Sequence, residues 1–257
     1  MFEIETRCNI SEQLVGDNHF KILQLKPSEF EKLKACLIDT LPEHYVDPQS
    51  IAGTLARLGK TAAATKLLTK LPEVKNIRSG DIGEVLTTDY IEESTGYTVP
   101  IRKLRWRDHR NMAMRGDDVI GFIFDQRRQT IKFLKAEAKA NKSLSTDVLQ
   151  KARLELDNDD GLPAPHALEF VAERLRESSN YALSDLIEKV QLIDGIRPNQ
   201  VEHLLFTFTA SDPATLQKIA FDAYGGSIKQ HSVGFRVTQH QELIADVYQG
   251  VIDGLND

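Results

Sequence analysis

Asp118, Glu137 and Lys139 would bring two carboxylates and an amine within reach of one another if the residues between them form a hairpin. The stretch 117–139 has that character. Two apolar runs, residues 119–124 and 131–134, flank a polar tip at 125–129, which is the sequence sign of a β-hairpin. A turn symmetric about Arg127 and Arg128 sets Asp118 opposite Glu137. It also sets Ile120, Phe122 and Phe124 opposite Lys135, Phe133 and Ile131. Directly opposed residues share a face with Cβ atoms about 5 Å apart. Side chains alternate along a strand, so Glu137 and Lys139 point the same way, roughly 7 Å apart.

Charges at the end of an otherwise apolar face are costly unless they compensate one another or hold an ion. Two adjacent carboxylates suit Mg²⁺, which takes oxygen ligands at about 2.1 Å and commonly shares its shell with phosphate. A lysine beside such an ion can hold or help deprotonate an attacking water, while the metal offsets charge on a scissile phosphate. The chemistry indicated is phosphodiester hydrolysis. Glu-x-Lys alone carries little information, since roughly one copy is expected by chance in a chain this rich in Glu and Lys. A second copy, Glu73-Val74-Lys75, lies between a proline and a loop. Context distinguishes residues 137–139: a strand, an aspartate at the matching register and an acidic helix upstream. The same residues would also suit an edge hairpin with a solvated ion pair. Slipping the register by one residue would bring Asp117 to the site in place of Asp118. Asp118 is preferred because its face matches the Phe/Ile face of the partner strand.

This arrangement resembles the PD-(D/E)xK nucleases: Gly116-Asp117-Asp118, then a hairpin, then Glu137-Ala138-Lys139. Upstream, Gly83-Glu84-Val85-Leu86 is similar to the helical glutamate that many members carry before the first core strand. No proline precedes either aspartate, as the motif name would have it. More narrowly, the stretch 78–143 resembles the nuclease subunits of Hachiman antiphage defence systems, which act beside a helicase subunit. The resemblance implies an α+β fold, a restriction-endonuclease-like core with a mixed β-sheet flanked by helices. It further implies Mg²⁺, or Mn²⁺ in its place, on Asp118, Glu137 and the main-chain carbonyl of Ala138. Lys139 would position or activate water, and Glu84 would support the metal shell. The implied activity is DNA cleavage as a defence effector restrained or delivered by the helicase. Two other readings share these residues: a catalytically degenerate nuclease fold serving as a binding or assembly subunit, and an RNase or restriction-type nuclease.

The chain has 257 residues, 41% of them hydrophobic, enough for a substantial core. Residues 1–77, 78–143 and 144–257 are expected to form a strand/helix segment, the nuclease core and a helical β-α-β-α segment of one compact unit. No apolar run is long enough to span a membrane, and the amino end lacks the pattern of a signal peptide. Cys8 and Cys36 fit reduced thiols in a cytoplasmic protein. No HExxH or Cys/His spacing points to zinc. A protein that grips DNA unaided is usually basic, but the formal charge here is −6. Positive charge is local: Arg102, Lys103, Arg105, Arg107, Arg110 and Arg115, with Trp106 among them. They read as a phosphate-tracking strip or as charges guarding a strand edge. The overall acidity leaves much of the DNA affinity to a partner.

Alternation over residues 2–8 predicts a strand, with a second at 19–25. Ser28 and Glu31 form a capping-box pattern opening a helix that ends near Pro42. Helical segments follow at 48–58 and 60–71. Gly53 to Thr61 within them imitates a Walker A loop, with one residue too many between glycines and no strand before it. Asp81 is expected as N-cap of a helix to Glu93, with Glu84 in the first turn near the helix dipole. Residues 98–106 are expected as the first core strand, with Pro100 marking an edge or bulge. Helices are expected at 146–156, 165–178 and 181–193, with a flexible acidic loop at 157–163. A strand at 203–209, a helix at 213–224, a strand at 232–238 and a last amphipathic helix complete the chain.

Overall fold

Runs of apolar residues set the middle of the sheet, and both ends of the chain contribute to it. The computed structural model describes residues 2–114 and 116–256. Its strands are β1 (Cys8–Val15), β2 (Asn18–Leu25), β3 (Val119–Asp125), β4 (Thr130–Asn141), β5 (Val201–Thr209) and β6 (Lys229–Arg236). They form one six-stranded mixed sheet in the order β1-β2-β6-β5-β4-β3. The central pairs β2/β6, β6/β5 and β5/β4 are parallel, and the outer pairs β1/β2 and β3/β4 are antiparallel. Strand β5 is buried along nearly its whole length, as a parallel strand covered on both faces must be. Edge strand β1 buries only Cys8.

The sheet is flanked by helices on both faces, which makes the fold α+β. On one face Leu134, Leu204, Phe206, Val233 and Phe235 pack under α1 (Phe30–Tyr45) and α4 (Lys75–Ser94). The peripheral pair α2 (Pro48–Leu58) and α3 (Lys60–Leu68) adds Leu67 to that core. On the other face α5 (Thr146–Asp157) packs on Leu205, next to α6 (Pro165–Glu177) and α7 (Tyr181–Lys189), which cover Phe122 and Phe133. Also on that face, α8 (Ala214–Asp222) covers Phe20 and Ile22. The last helix, α9 (His240–Asn256), returns to the first face beside α1. Among the described residues, no helix is long and apolar enough to cross a membrane.

Several local expectations are corrected. Residues 4–7 form a turn, not a strand: the Glu3 carbonyl accepts from the Thr6 and Arg7 amides at 3.1 and 3.3 Å, and Phe2 and Ile4 are buried. Ser28 lies in a 3-10 turn, and α1 starts at Phe30 without a side-chain cap. That helix passes through Pro42 to Tyr45, because a proline in the last turns costs one amide donor while its carbonyl still accepts from Val46. Helix α4 begins at Lys75, so Asp81 is a buried mid-helix residue and not a cap. Residues 98–106 contribute a single bridge, Thr98 to Phe122, before a 3-10 turn at Lys103–Trp106. Pro100 has no amide with which to extend a ladder. The acidic loop after α5 is a tight turn, with Asp159 and Asp160 at φ 58° and 57°.

Candidate active site

The hairpin has the register that turn symmetry predicts: Ile120 opposes Lys135, Phe122 opposes Phe133 and Phe124 opposes Ile131. Asp125 fixes the turn by accepting from the amides of Arg127 and Arg128, both at 3.0 Å. The backbone ladder ends at Val119 and Ala136. One residue further out, a side chain takes over the pairing. Asp118 Oδ2 accepts from the Ala138 amide at 2.9 Å. The Ala138 carbonyl points toward the same edge, past the end of β3. Glu137, next along β4, is buried, and Lys139 donates to its Oε1.

Helix α4 completes the cluster. Gly83 lets it approach the end of β4, since a Cβ there would meet the Ala140 Cβ at 3.1 Å. That contact brings Glu84 to the carboxylates. Lys103, from the 3-10 turn, lies 3.5 Å from Glu84 Oε2 and 3.8 Å from Asp118 Oδ1, and donates to the Asp117 carbonyl at 3.0 Å. A cavity beside these groups is lined by Glu84, Lys103 and Asp118 together with the apolar Val99, Phe122 and Phe170.

The charges perturb one another strongly. Burial pushes the Glu137 carboxyl up to about 8, the Asp118 charge adds to this, and Lys139 opposes it. Burial likewise pushes Glu84 up to about 8, with Lys103 opposing and Asp118 reinforcing. Burial disfavours both ammoniums, yet Glu84 and Asp118 beside Lys103, and Glu137 beside Lys139, raise their pKa values on balance. Three carboxyl groups thus share two ammoniums in a site largely withdrawn from water.

Asp117 turns away from this group. Its Oδ2 accepts from the Ala164 amide at the start of α6 at 2.7 Å, and Lys135 Nζ lies 3.5 Å from its Oδ1. The structure thus brings together Glu84, Asp118, Glu137 and Lys139, and gives Asp117 a separate, structural set of partners.

Each described cation of the expected basic strip has an acidic partner. Because 99–106 folds against α1 and α4, Lys103 points into the carboxylate cluster. Arg107, 5% exposed, makes a bidentate pair with Asp81 of α4. Arg102 pairs with Glu43 and Glu92, Arg105 with Asp47 and the Glu43 carbonyl, and Arg110 with Glu73. Arg115 lies outside the described residues. Trp106 meets Phe170 edge-on, with ring centroids 5.9 Å apart. Two features had no local signal in the sequence. One is the place of Lys103 inside the cluster. The other is the Asp81–Arg107 pair, extended by the hydroxyls of Tyr45 and Tyr248.

Among the described residues, no group of three or more His, Cys, Asp or Glu side chains is arranged to hold a metal ion. The carboxylates are instead engaged by the ammoniums of Lys103 and Lys139. A Mg²⁺ site asks less than a protein cage, since one or two carboxylates with several waters suffice. The donor atoms are of the kind such an ion takes: carboxyl oxygens from Asp118 and Glu137.

A 120-residue stretch is 28% identical to the Hachiman protein HamA of Bacillus cereus, covering 47% of this chain and 41% of that relative. The match thus takes in less than half of the relative's length. Residues 2–251 match the family model described as HamA. A match over nearly the full length places the chain in the HamA family.

Proposed function

We propose that this protein is a metal-dependent deoxyribonuclease with a restriction-endonuclease-like core of the PD-(D/E)xK type. It would serve as the effector of a Hachiman antiphage defence complex alongside a helicase. The observation that carries the reading is the convergence of Asp118, Glu137 and Lys139 at the open end of the hairpin, with Asp118 bonded to the Ala138 amide. Asp118, Glu137 and the Ala138 carbonyl would hold Mg²⁺, for which Mn²⁺ can substitute. The ion, when bound, would offset charge on the scissile phosphate and acidify a water. Lys139 Nζ, released from Glu137, would orient the attacking water oxygen. Glu84 would support the metal shell from the helix side. The defence role rests on family membership and on the name of the Bacillus cereus relative. The net charge of −6 is in keeping with a partner that supplies much of the DNA affinity.

In the complete system with Mg²⁺, Glu137→Ala combined with Lys139→Ala should lower DNA cleavage by at least about 100-fold. Undiminished cleavage would falsify the assignment. A second reading, a binding or assembly subunit with a degenerate site, draws on the absence of a metal-ready group among the described residues. Calorimetry separates the two, because only a nuclease site should bind Mg²⁺ or Mn²⁺ in a manner that depends on Asp118.

A further inference from the structure

Lys103 is the cation of the cluster that the sequence motif does not supply. It comes from a 3-10 turn, yet its ammonium stands between Glu84 and Asp118, at 3.5 and 3.8 Å, while donating to the Asp117 carbonyl. Its side chain is largely withdrawn from water, so the acids provide its compensation. The segment that carries it is clasped to α4 at two points. Arg107 binds Asp81, and Lys103 lies against Glu84. Positions 81 and 84 are three apart on one helix and so lie on the same face. The clasp fixes the backbone of residues 103–107, while the four-carbon stem of Lys103 leaves its ammonium free to swing.

We infer that Lys103 is a built-in counter-ion that holds the metal site closed at rest and must leave the carboxylates when a divalent cation takes them. This rests on the nuclease reading of the cluster. A cation on Asp118 would lie within a few ångströms of the ammonium, and two like charges that close repel strongly. Occupancy of the site by metal and by Lys103 is therefore competitive. Lys139 pairs with Glu137, whereas Lys103 is the ammonium against Glu84 and Asp118. Such a device keeps the free protein poor in metal.

The test is a calorimetric titration of Mn²⁺ into the full chain without DNA, comparing wild type, Lys103→Met, Lys103→Arg and Asp118→Asn. Lys103→Met should bind at least about tenfold more tightly than wild type, Lys103→Arg about as weakly as wild type, and Asp118→Asn not at all. If Lys103→Met binds no tighter while Asp118→Asn still abolishes binding, the counter-ion role is wrong and the nuclease reading survives. If no protein binds Mn²⁺, or if Asp118→Asn binds as wild type does, the metal-site reading fails and takes this inference with it. A measurement on wild type alone covers the case in which the variants do not fold. Reductive methylation of Lys103, followed by mass spectrometry, should accelerate when saturating Mn²⁺ is added. An unchanged rate overturns the proposal.

Discussion

Lys135→Met offers the sharpest test of how the hairpin is held. Lys135 is 2% exposed, and its ammonium donates to the carbonyls of Asn158 and Leu162 at 2.8 and 2.9 Å, with Asp117 Oδ1 at 3.5 Å. One cation thus ties β4 to the turn after α5 and to the residue before Asp118. Methionine fills similar volume without charge, so the cost is electrostatic. It leaves the buried Asp117 carboxylate without its counter-charge and two carbonyls without a donor. Breaking a buried pair from one side costs about 3–5 kcal/mol. With a urea m-value of about 3 kcal/mol/M, the midpoint falls by roughly 1–1.7 M. Adding Asp117→Asn removes the stranded charge while keeping an acceptor for the Ala164 amide. The double variant should recover to within about 1–2 kcal/mol of wild type. Equilibrium urea unfolding followed by tryptophan fluorescence measures both. A single-variant loss below about 1 kcal/mol, or a double variant no better than the single, refutes the reasoning.

Two further outcomes follow from the same geometry. Arg107→Met should destabilise the protein by about 3–5 kcal/mol, because it strands Asp81 between α1, α4 and α9. A normal melting temperature accompanied by weakened DNA binding would restore Arg107 to a phosphate-contacting role. The second concerns pH. Burial holds Glu84 and Glu137 near pKa 8, above their ordinary 4.5, so the folded state keeps protons that the unfolded state releases. Their contribution to stability is full below about pH 4.5 and is lost as pH rises through 8. In metal-free protein, Glu137→Gln should flatten that decline. Urea midpoints at pH 5, 6.5 and 8 check this, and an equally steep decline in the variant counts against it.

Where the sequence was legible, a repeating pattern carried the information. Alternation on both sides of a polar tip fixed the register of β3 against β4, and with it the placement of Asp118, not Asp117, beside Glu137 and Ala138. Apolar runs also located β5, β6 and the helices around them. Patterns failed where structure depends on partners distant in the chain. Residues 98–106 have the composition of a strand, but their pairing stops at Thr98, and the buried Leu104 and Arg107 turn toward α4. A run of arginines reads as an exposed strip until Asp81, Glu43 and Glu73 are known to lie against it. Residues 2–8 alternate because Phe2 and Ile4 are buried from a turn, and a two-residue period cannot distinguish that from a strand.

The corrected start of α4 changes what holds Glu84. At a helix N-terminus the backbone dipole would favour its carboxylate, but that effect fades beyond the first turn. Because α4 begins at Lys75, Glu84 lies well past that range. What lies against its carboxyl is a side chain from another segment, Lys103, at 3.5 Å. The same lysine also lies against Asp118. On the proposed metal site, displacing it would free Asp118 for a divalent ion. On that reading, the helix boundary would link the folding of residues 75–107 to the access of a metal to Asp118.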